Sequence, residues 1–170
     1  METATKNNEE SITFISFCVP HKNSKWDFRF MRLAQEISSW SKDPSTKVGC
    51  YVTRDRMPLV NGYNGFPKQI DDSPEMLADR ERKMKWMIHA EKNAIYNATE
   101  LGISLKGSTF YLWGLPPCED CALAIIRVGA VRVVSVEQEI PKRWIDSCMK
   151  GVSKFADAHV EFITLPIAKL

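Results

Sequence analysis

Strand-like and helix-like segments alternate from residue 27 to residue 165, and this alternation restricts the chain to an α/β fold. Asp27–Trp40 repeats its apolar residues at helical spacing, whereas Val131–Val136 is rich in β-branched residues and is typical of a buried strand. A helix-start signal, Asp-Asp-Ser-Pro, opens the segment 71–88. Further helices are predicted at 90–101, 122–128 and 142–156, and further strands at 11–19, 48–53, 59–63, 109–113 and 160–165. The predicted architecture is an α/β sandwich with helices packed on a mixed sheet.

The length and charge of the chain limit its partners. Its 170 residues fit one domain and contain no internal repeat, so we predict an N-terminal extension at 1–24 and one domain at 25–170. The formal charge of +2 is too small for a dedicated duplex-DNA or RNA binder. No apolar run approaches the ~18 residues that a membrane span needs. We therefore expect a small-molecule partner, with no polymeric nucleic acid and no membrane.

The cysteines indicate the redox compartment. There are five of them, an odd number, and residues 1–10 end in two glutamates rather than forming the cationic start of an export signal. We therefore expect a reducing cytoplasm, where closely spaced cysteines form metal or redox sites rather than disulfides.

Two short segments carry the chemistry, His89-Ala90-Glu91 and Pro117-Cys118-Glu119-Asp120-Cys121. Cys118 and Cys121 are three residues apart at a predicted helix start, so their sulfurs share one face and both can reach one ion. The helix dipole and free N–H groups of a first turn favour thiolate over thiol. His89 supplies a third ligand. Three protein ligands and one water are the arrangement of a catalytic zinc site, whereas four protein ligands close a structural one.

Glu91 is the residue that indicates which reaction this predicted site catalyses. Residues two apart do not face each other within a helix, so we expect His89 at the helix entrance, turned toward the metal, and Glu91 beside the bound water. Zinc lowers the pKa of such a water to about 7, and a nearby carboxylate can move its proton to a ring nitrogen and a leaving amine. The combined pattern H-x-E and P-C-x-x-C matches that of zinc nucleobase deaminases.

Each of these residues also has an ordinary explanation. The two cysteines alone fit a thioredoxin-like redox pair or small buried hydrophobic residues. His89 alone fits a hydrogen-bonded core histidine, and Glu91 alone fits a solvated carboxylate in a first helical turn. The four residues together, in this order and with each half opening a predicted helix, favour the zinc site.

Three longer segments extend the pattern: SKDPSTKVG at 41–49, GYNGFP at 62–67 and HAEKNAIYNA at 89–98. With the zinc motif they resemble deoxycytidylate (dCMP) deaminases of the cytidine deaminase superfamily, many of them viral or phage-encoded, over most of residues 27–136. The resemblance implies a cytidine-deaminase-like three-layer sandwich with a central mixed five-stranded sheet flanked by helices. It also implies that His89, Cys118 and Cys121 bind zinc, that Glu91 is the catalytic proton shuttle, and that Asn64 contacts the nucleotide sugar.

The activity implied by the resemblance is zinc-dependent hydrolytic deamination of dCMP to dUMP, which releases ammonia and feeds thymidylate synthesis. The resemblance further implies a homo-oligomer, commonly a hexamer in this family, and regulation by dCTP and dTTP with Mg²⁺ near the GYNG loop, as in many members. A viral member would act in the host cytoplasm. Other substrates stay open: a 5-substituted dCMP, dCTP, another cytosine nucleotide, free cytidine, guanine or a tRNA adenosine. A catalytically silent regulator that binds zinc and nucleotide is the alternative from a different class.

One segment departs from the family pattern. Before the cysteines the chain is one residue longer than usual, and Trp113 stands where a small polar residue is customary. Two hypotheses follow. Either the Trp113 indole lines the base pocket and tunes it for a 5-substituted cytosine, or Trp113 is a core residue beside a bulge at Gly114.

Two further hypotheses concern a second metal and the phosphate. Cys18 and His21 lie three residues apart and could share a second zinc with Cys50, although burial alone explains Cys50. Cations that could hold a phosphate are present near the 41–49 loop, although each also fits an ordinary solvated surface. They are Lys42, Lys47, Arg29 and Arg32. The alternating charges at Arg80, Arg82, Lys83 and Lys85 predict a solvated helix face.

Overall fold

A computed structural model describes residues 11–13 and 24–170 of the chain. Strands and helices alternate along most of it, and the observed bounds lie within three residues of most of the predicted ones. The strands are β1 (Ser11–Thr13), β2 (Gly49–Arg54), β3 (Met57–Tyr63), β4 (Thr109–Trp113), β5 (Arg132–Glu137), β6 (Glu139–Pro141) and β7 (Glu161–Pro166). The α-helices are α1 (Lys25–Ser39), α2 (Pro74–Ala78), α3 (Arg80–Trp86), α4 (Ala90–Glu100), α5 (Glu119–Arg127) and α6 (Lys142–Asp157).

Five strands form the central sheet in the order β3-β2-β4-β5-β7. Strand β2 is antiparallel to both of its neighbours, whereas β4, β5 and β7 run parallel. Strands β1 and β6 pair separately as a two-stranded antiparallel sheet. The predicted mixed five-stranded sheet is confirmed.

Helices cover both faces of this sheet. Along β4, Phe110 and Leu112 point into a core shared with α4, α5 and α6, because alternate residues of a strand face opposite sides. Tyr111 and Trp113 point the other way, into a core shared with α1. The molecule is therefore a three-layer sandwich, as the resemblance implies.

Trp113 packs in the α1 core, on the face of the sheet opposite to α4 and α5. The residue that follows it, Gly114, has a φ of 99° and lies against the backbone of Lys47, where a Cβ atom would come within 2.8 Å of the Lys47 carbonyl oxygen. The structure favours the core explanation of Trp113, and the hypothesis that its indole lines a base pocket is wrong.

The segment 71–88 differs from a single continuous helix. It contains two short helices, α2 and α3, which meet at Asp79 in an extended conformation (φ −71°, ψ 102°). The Asp79 side chain accepts a hydrogen bond from the Arg82 backbone N–H and so caps α3. This local cap interrupts the helix, and α3 contains no buried residue.

Cys18 and His21 lie outside the described residues, and so does most of the predicted strand at 11–19. Cys50 is fully buried in the core beside α4. Among the described residues, no helix has the length and apolarity that a bilayer crossing requires.

Candidate metal centre and adjoining cavity

Two helix starts supply the predicted metal ligands. His89 is the N-cap residue of α4, Cys118 is the N-cap residue of α5, and Cys121 lies in the first turn of α5. An isolated antiparallel bridge between Gly65 and Ile88 fixes the chain immediately before His89. Because α4 and α5 pack against each other on one face of the sheet, their N-termini converge.

The three ligand atoms form a compact cluster. His89 Nδ1 lies 3.5 Å from the Sγ of Cys118 and 3.4 Å from the Sγ of Cys121. All three atoms lie within 4.8 Å of one another. Zinc bonds of about 2.3 Å to sulfur and about 2.0–2.1 Å to nitrogen, at the tetrahedral angle, would place sulfur and nitrogen about 3.6 Å apart. The cluster therefore fits a zinc ion in donor type and in spacing.

The electrostatics of the cluster favour a thiolate at Cys118. A hydrogen bond from the Cys121 thiol lowers the pKa of Cys118 to about 4, against the opposing effect of burial, and His89 adds to the lowering. The Cys118 sulfur in turn raises the pKa of His89 and of Cys121. Thiolate is the form of cysteine that binds metals.

Glu91 lies next to this cluster and is almost completely buried, with 3% of its surface exposed. Burial raises the pKa of its carboxyl group, whereas the nearby His89 opposes that rise. The side chain lines the same cavity as His89 and Cys118. The structure thus places a carboxyl group beside the candidate metal ligands, where the sequence predicted it.

Asn64 also lines the cavity, but its amide is already bonded to the backbone. Its Oδ1 accepts a hydrogen bond from the Val48 N–H at 2.8 Å, and its Nδ2 donates to the Thr46 carbonyl oxygen at 2.8 Å. A third, longer contact joins Nδ2 to the sulfur of Met87 at 3.7 Å. Asn64 therefore holds the loop that forms one wall of the cavity, and its contact with a nucleotide sugar stays a prediction.

Two glycines allow helices to approach this site closely. A Cβ atom on Gly62 would lie 2.4 Å from the backbone nitrogen of Ala94, so α4 packs directly on β3. A Cβ atom on Gly151 of α6 would lie 2.2 Å from the Pro117 carbonyl oxygen and 2.9 Å from the carbonyl carbon of Cys118. The backbone of a candidate metal ligand, Cys118, is thus in direct contact with α6.

The cavity beside the cluster is lined by residues that sequence reasoning did not single out as a site. Helix α6 supplies Arg143 and Trp144, and α3 supplies Arg80 and Lys83. The only sequence signal for Arg143 is a helix that begins with two basic residues and has no acidic residue in its first turn. The alternation of charges around Arg80 and Lys83 predicts a solvated face, whereas both residues line the cavity.

The cations that the sequence suggested for phosphate lie elsewhere. Lys42 forms an exposed ion pair with Asp72 at 2.8 Å, Arg29 stacks on the Trp26 ring, and Arg32 donates to the carbonyl oxygen of Leu170. Lys47 is exposed and does not line the cavity. None of the four lines the cavity beside the candidate metal centre.

Comparison with known proteins identifies the family. The family model for the cytidine and deoxycytidylate deaminase zinc-binding region matches residues 24–137. The chain belongs to this deaminase family. An uncharacterized deaminase of Aliivibrio fischeri is 36% identical over 146 residues, which cover 85% of this chain and 96% of that protein. The deoxycytidylate deaminase of Mus musculus is 35% identical over 118 residues, covering 65% of this chain and 64% of the mouse protein.

Solved structures of other deaminases share the fold. The dCMP deaminase of the cyanophage S-TIM5, crystallised in complex with dCMP and dUMP, superposes with a TM-score of 0.68 and 23% identity; the match covers 85% of this deaminase and 100% of the phage chain. At this identity the similarity establishes the three-layer fold of the deaminase. The family assignment itself rests on the sequence matches.

Proposed function

We propose that the chain catalyses the zinc-dependent hydrolytic deamination of dCMP to dUMP with release of ammonia. The observation that carries this proposal is the cluster of His89, Cys118 and Cys121 with the buried Glu91 on the wall of the same cavity. Curated relatives more than 30% identical bear the name deoxycytidylate deaminase, which supports a cytosine nucleotide as the substrate.

In this proposal the chain has a binding role and a proton-transfer role. His89, Cys118 and Cys121 would hold the zinc, which when bound supplies a Lewis acid that lowers the pKa of water to about 7. Glu91 accepts a proton from the water that attacks C4 of the base. It delivers this proton to N3 and then transfers the second proton, taken from the hydroxyl group now on C4, to the amino group, which leaves as ammonia while C4 keeps the oxygen. Burial keeps the Glu91 carboxyl away from bulk water, so the protons go to the base.

The proposal is tested by following the ultraviolet change from dCMP to dUMP together with the zinc content of the protein. Glu91→Gln should keep one zinc per chain and lower turnover at least about 100-fold, because an acid–base group contributes about 10²–10⁴. The matched control is Glu100→Gln, an exposed carboxylate at the end of the same helix, which should behave as wild type. Equal turnover in Glu91→Gln and wild type would contradict the role of Glu91.

The same assay separates the alternatives. A wild-type protein that binds zinc and dCMP but turns over no cytosine nucleotide would be the silent regulator. Faster turnover of 5-methyl-dCMP or dCTP than of dCMP would identify one of the other substrates.

The proposal also includes regulation by dCTP and dTTP with Mg²⁺, the formation of a homo-oligomer and a cytoplasmic location. A smaller cavity beside the GYNG loop, lined in part by Trp40, Tyr63 and Phe66, supports an effector site there. A dCMP rate that dCTP and dTTP leave unchanged, at any Mg²⁺ concentration, would contradict regulation. A monomeric mass in solution would contradict the oligomer.

A further inference from the structure

Helix α3 covers one side of the cavity beside the metal cluster. Arg80, Lys83, Met84 and, just after the helix, Met87 all line this cavity, and they recur at the spacing of one helix face. This inner face therefore borders open space, whereas the inner face of an ordinary surface helix packs on a core. No residue of α3 is buried, and Met84 is 52% exposed. The helix thus lies over the cavity without the apolar contacts that would fix it there.

Both ends of α3 have the backbone conformation of a hinge. Asp79 (ψ 102°) and Met87 (ψ 114°), which flank the helix, are extended. Beyond them the chain is anchored, because Leu77 of α2 is buried and Ile88 forms two backbone hydrogen bonds with Gly65, of 2.9 and 3.1 Å. Hinges are a few residues at the ends of elements that absorb a change in backbone angles. Helix α3 can therefore move between two fixed points.

Several bonds that stabilise α3 lie within the segment itself. Asp79 accepts the bond from the Arg82 backbone N–H, and Lys85 forms an exposed ion pair with Glu81 at 2.6 Å, one turn away. These bonds need not break when the helix moves. The Arg82 Nε, by contrast, is buried without a hydrogen-bond partner among the described residues, which destabilises the docked position of the helix.

An ion pair ties the inner face of α3 to the 41–49 loop. Lys83 Nζ lies 3.1 Å from Asp43 Oδ1 and 2.7 Å from Ser45 Oγ, and the Lys83 and Asp43 side chains are only 14% and 5% exposed. The same Asp43 oxygen accepts hydrogen bonds from the backbone N–H groups of Ser45 and Thr46, which hold the carboxylate in place. A pair shielded from water in this way is stronger than an exposed one.

We propose that α3 is a lid of the cavity, hinged at Asp79 and Met87 and held closed by the Lys83–Asp43 ion pair, which we call the latch. The closed lid shields Glu91 and a bound base from bulk water, and the open lid lets nucleotides enter and leave. The lid controls access to the site and so adds to the proposed reaction without being a step of it. Lys83 acts through Asp43 and is therefore a positioning residue.

Two variants break the latch from opposite sides. Lys83→Met removes the charge but keeps an unbranched side chain, and Asp43→Asn keeps an oxygen that can accept the bonds from Ser45 and Thr46. Each variant removes a charge-assisted bond, so the open population should rise about tenfold or more. The association and dissociation rate constants of dUMP should then both rise about tenfold in each variant. Stopped-flow tryptophan fluorescence measures them, since Trp144 lines the cavity.

The signs of the two charge changes separate a lid from a direct effect on the nucleotide. Because dUMP is an anion, loss of the positive charge at Lys83 would slow its association, whereas loss of the negative charge at Asp43 would speed it. A rise of both rate constants in both variants is therefore expected only of a lid. The matched control is Lys85→Met, which removes an exposed cation of the same helix that does not line the cavity. Its rate constants should equal those of wild type.

Hydrogen exchange tests the lid without any nucleotide. The amide hydrogens of residues 80–87 should exchange about tenfold faster in Lys83→Met than in wild type or Lys85→Met, while those of α4 stay unchanged. Equal exchange in the three proteins would overturn the lid. Rate constants of dUMP that stay unchanged, or association rates that shift in opposite directions in the two latch variants, would also overturn it. A wild type that binds no dUMP would contradict the proposed function instead, and hydrogen exchange alone would then decide the lid.

Discussion

Arg132 and Asp27 form a two-point ion pair between β5 and α1, with Nη1 2.6 Å from Oδ1 and Nη2 3.2 Å from Oδ2. Asp27 is fully buried, and its carboxylate also accepts hydrogen bonds from the Tyr111 hydroxyl and the Ser24 backbone N–H. Arg132 is held from its other side by Glu161, whose Oε2 lies 2.7 Å from Nε. One carboxylate thus links the cap of α1 to two strands of the sheet.

The first prediction concerns the stability that this carboxylate provides. Asp27→Asn should lower the free energy of unfolding by about 3 kcal/mol, because it leaves the largely buried Arg132 guanidinium without its main counter-ion. Urea unfolding at neutral pH measures the change. The control is Asp157→Asn at the exposed end of α6, and a loss at Asp27 no larger than at Asp157 would contradict the prediction.

The second prediction concerns acid pH. Burial alone would raise the pKa of Asp27, but the bonds from Arg132 and from the Ser24 backbone hold it below its ordinary value of 3.8. A carboxyl group whose pKa is lowered by folding stabilises the fold above its unfolded pKa, and this contribution is lost as the pH falls through the folded pKa. The difference in stability between wild type and Asp27→Asn should therefore shrink from about pH 4 downward. A constant difference from pH 6 to pH 2.5 would show that the charge is not responsible.

The third prediction concerns the loop held by Asn64. Asn64→Ala leaves the Val48 N–H and the Thr46 carbonyl oxygen unpaired, so stability should fall by about 2 kcal/mol. Because this loop forms a wall of the cavity, kcat/KM for dCMP should fall about tenfold or more. Asn93→Ala removes a similar side-chain bond, to the Tyr63 carbonyl oxygen, outside the cavity and should affect activity little.

A sugar contact by Asn64 needs a separate readout. If the side chain also contacts the 3′-hydroxyl, wild type should prefer dCMP to 2′,3′-dideoxy-CMP, and Asn64→Ala should lose that preference. Equal preference in both proteins would limit Asn64 to positioning the loop.

The fourth prediction concerns the contact between α6 and the backbone at Cys118, a candidate metal ligand. Gly151→Ala should improve helix propensity by about 1 kcal/mol. It also places a methyl group 2.2 Å from the Pro117 carbonyl oxygen, and backbone cannot yield as a flexible side chain does. Overpacking of this kind costs about 1–3 kcal/mol, so we expect a net loss of stability and faster release of zinc to a chelator. Ser153→Ala on the exposed side of α6 is the control, and zinc release equal to that of wild type would exclude the proposed strain.

Much of the fold could be predicted because local patterns decide it. Thr109–Trp113 was predicted to the residue, since apolar residues on both faces mark a central strand. The places where helices are interrupted were harder to predict. The interruption between α2 and α3 depends on a single aspartate cap, Asp79, which cannot be recognised in a charged and weakly periodic segment. The short strand Glu139–Pro141 pairs with β1, a partner that no local pattern indicates.

The candidate site could likewise be predicted from the sequence only in part. His89, Glu91, Cys118 and Cys121 could be recognised because their spacing carries chemistry, and the structure brings the four together. The cavity wall could not be predicted, since Arg143 and Trp144 reach it only through the packing of α6 against α5. The hypothesis that Trp113 lines a base pocket was wrong because the position of this residue in the chain, next to the cysteines, does not show which face of the sheet it occupies.

The weak attachment of α3 has an evolutionary consequence. This helix buries no residue, yet it borders the cavity and is tied to the 41–49 loop through Lys83. Substitutions on its surface can alter what enters the cavity while the sheet and its cores are untouched. During evolution, a few substitutions on α3 could therefore change which substrate the cavity accepts. They would not require an earlier gain in the stability of the fold.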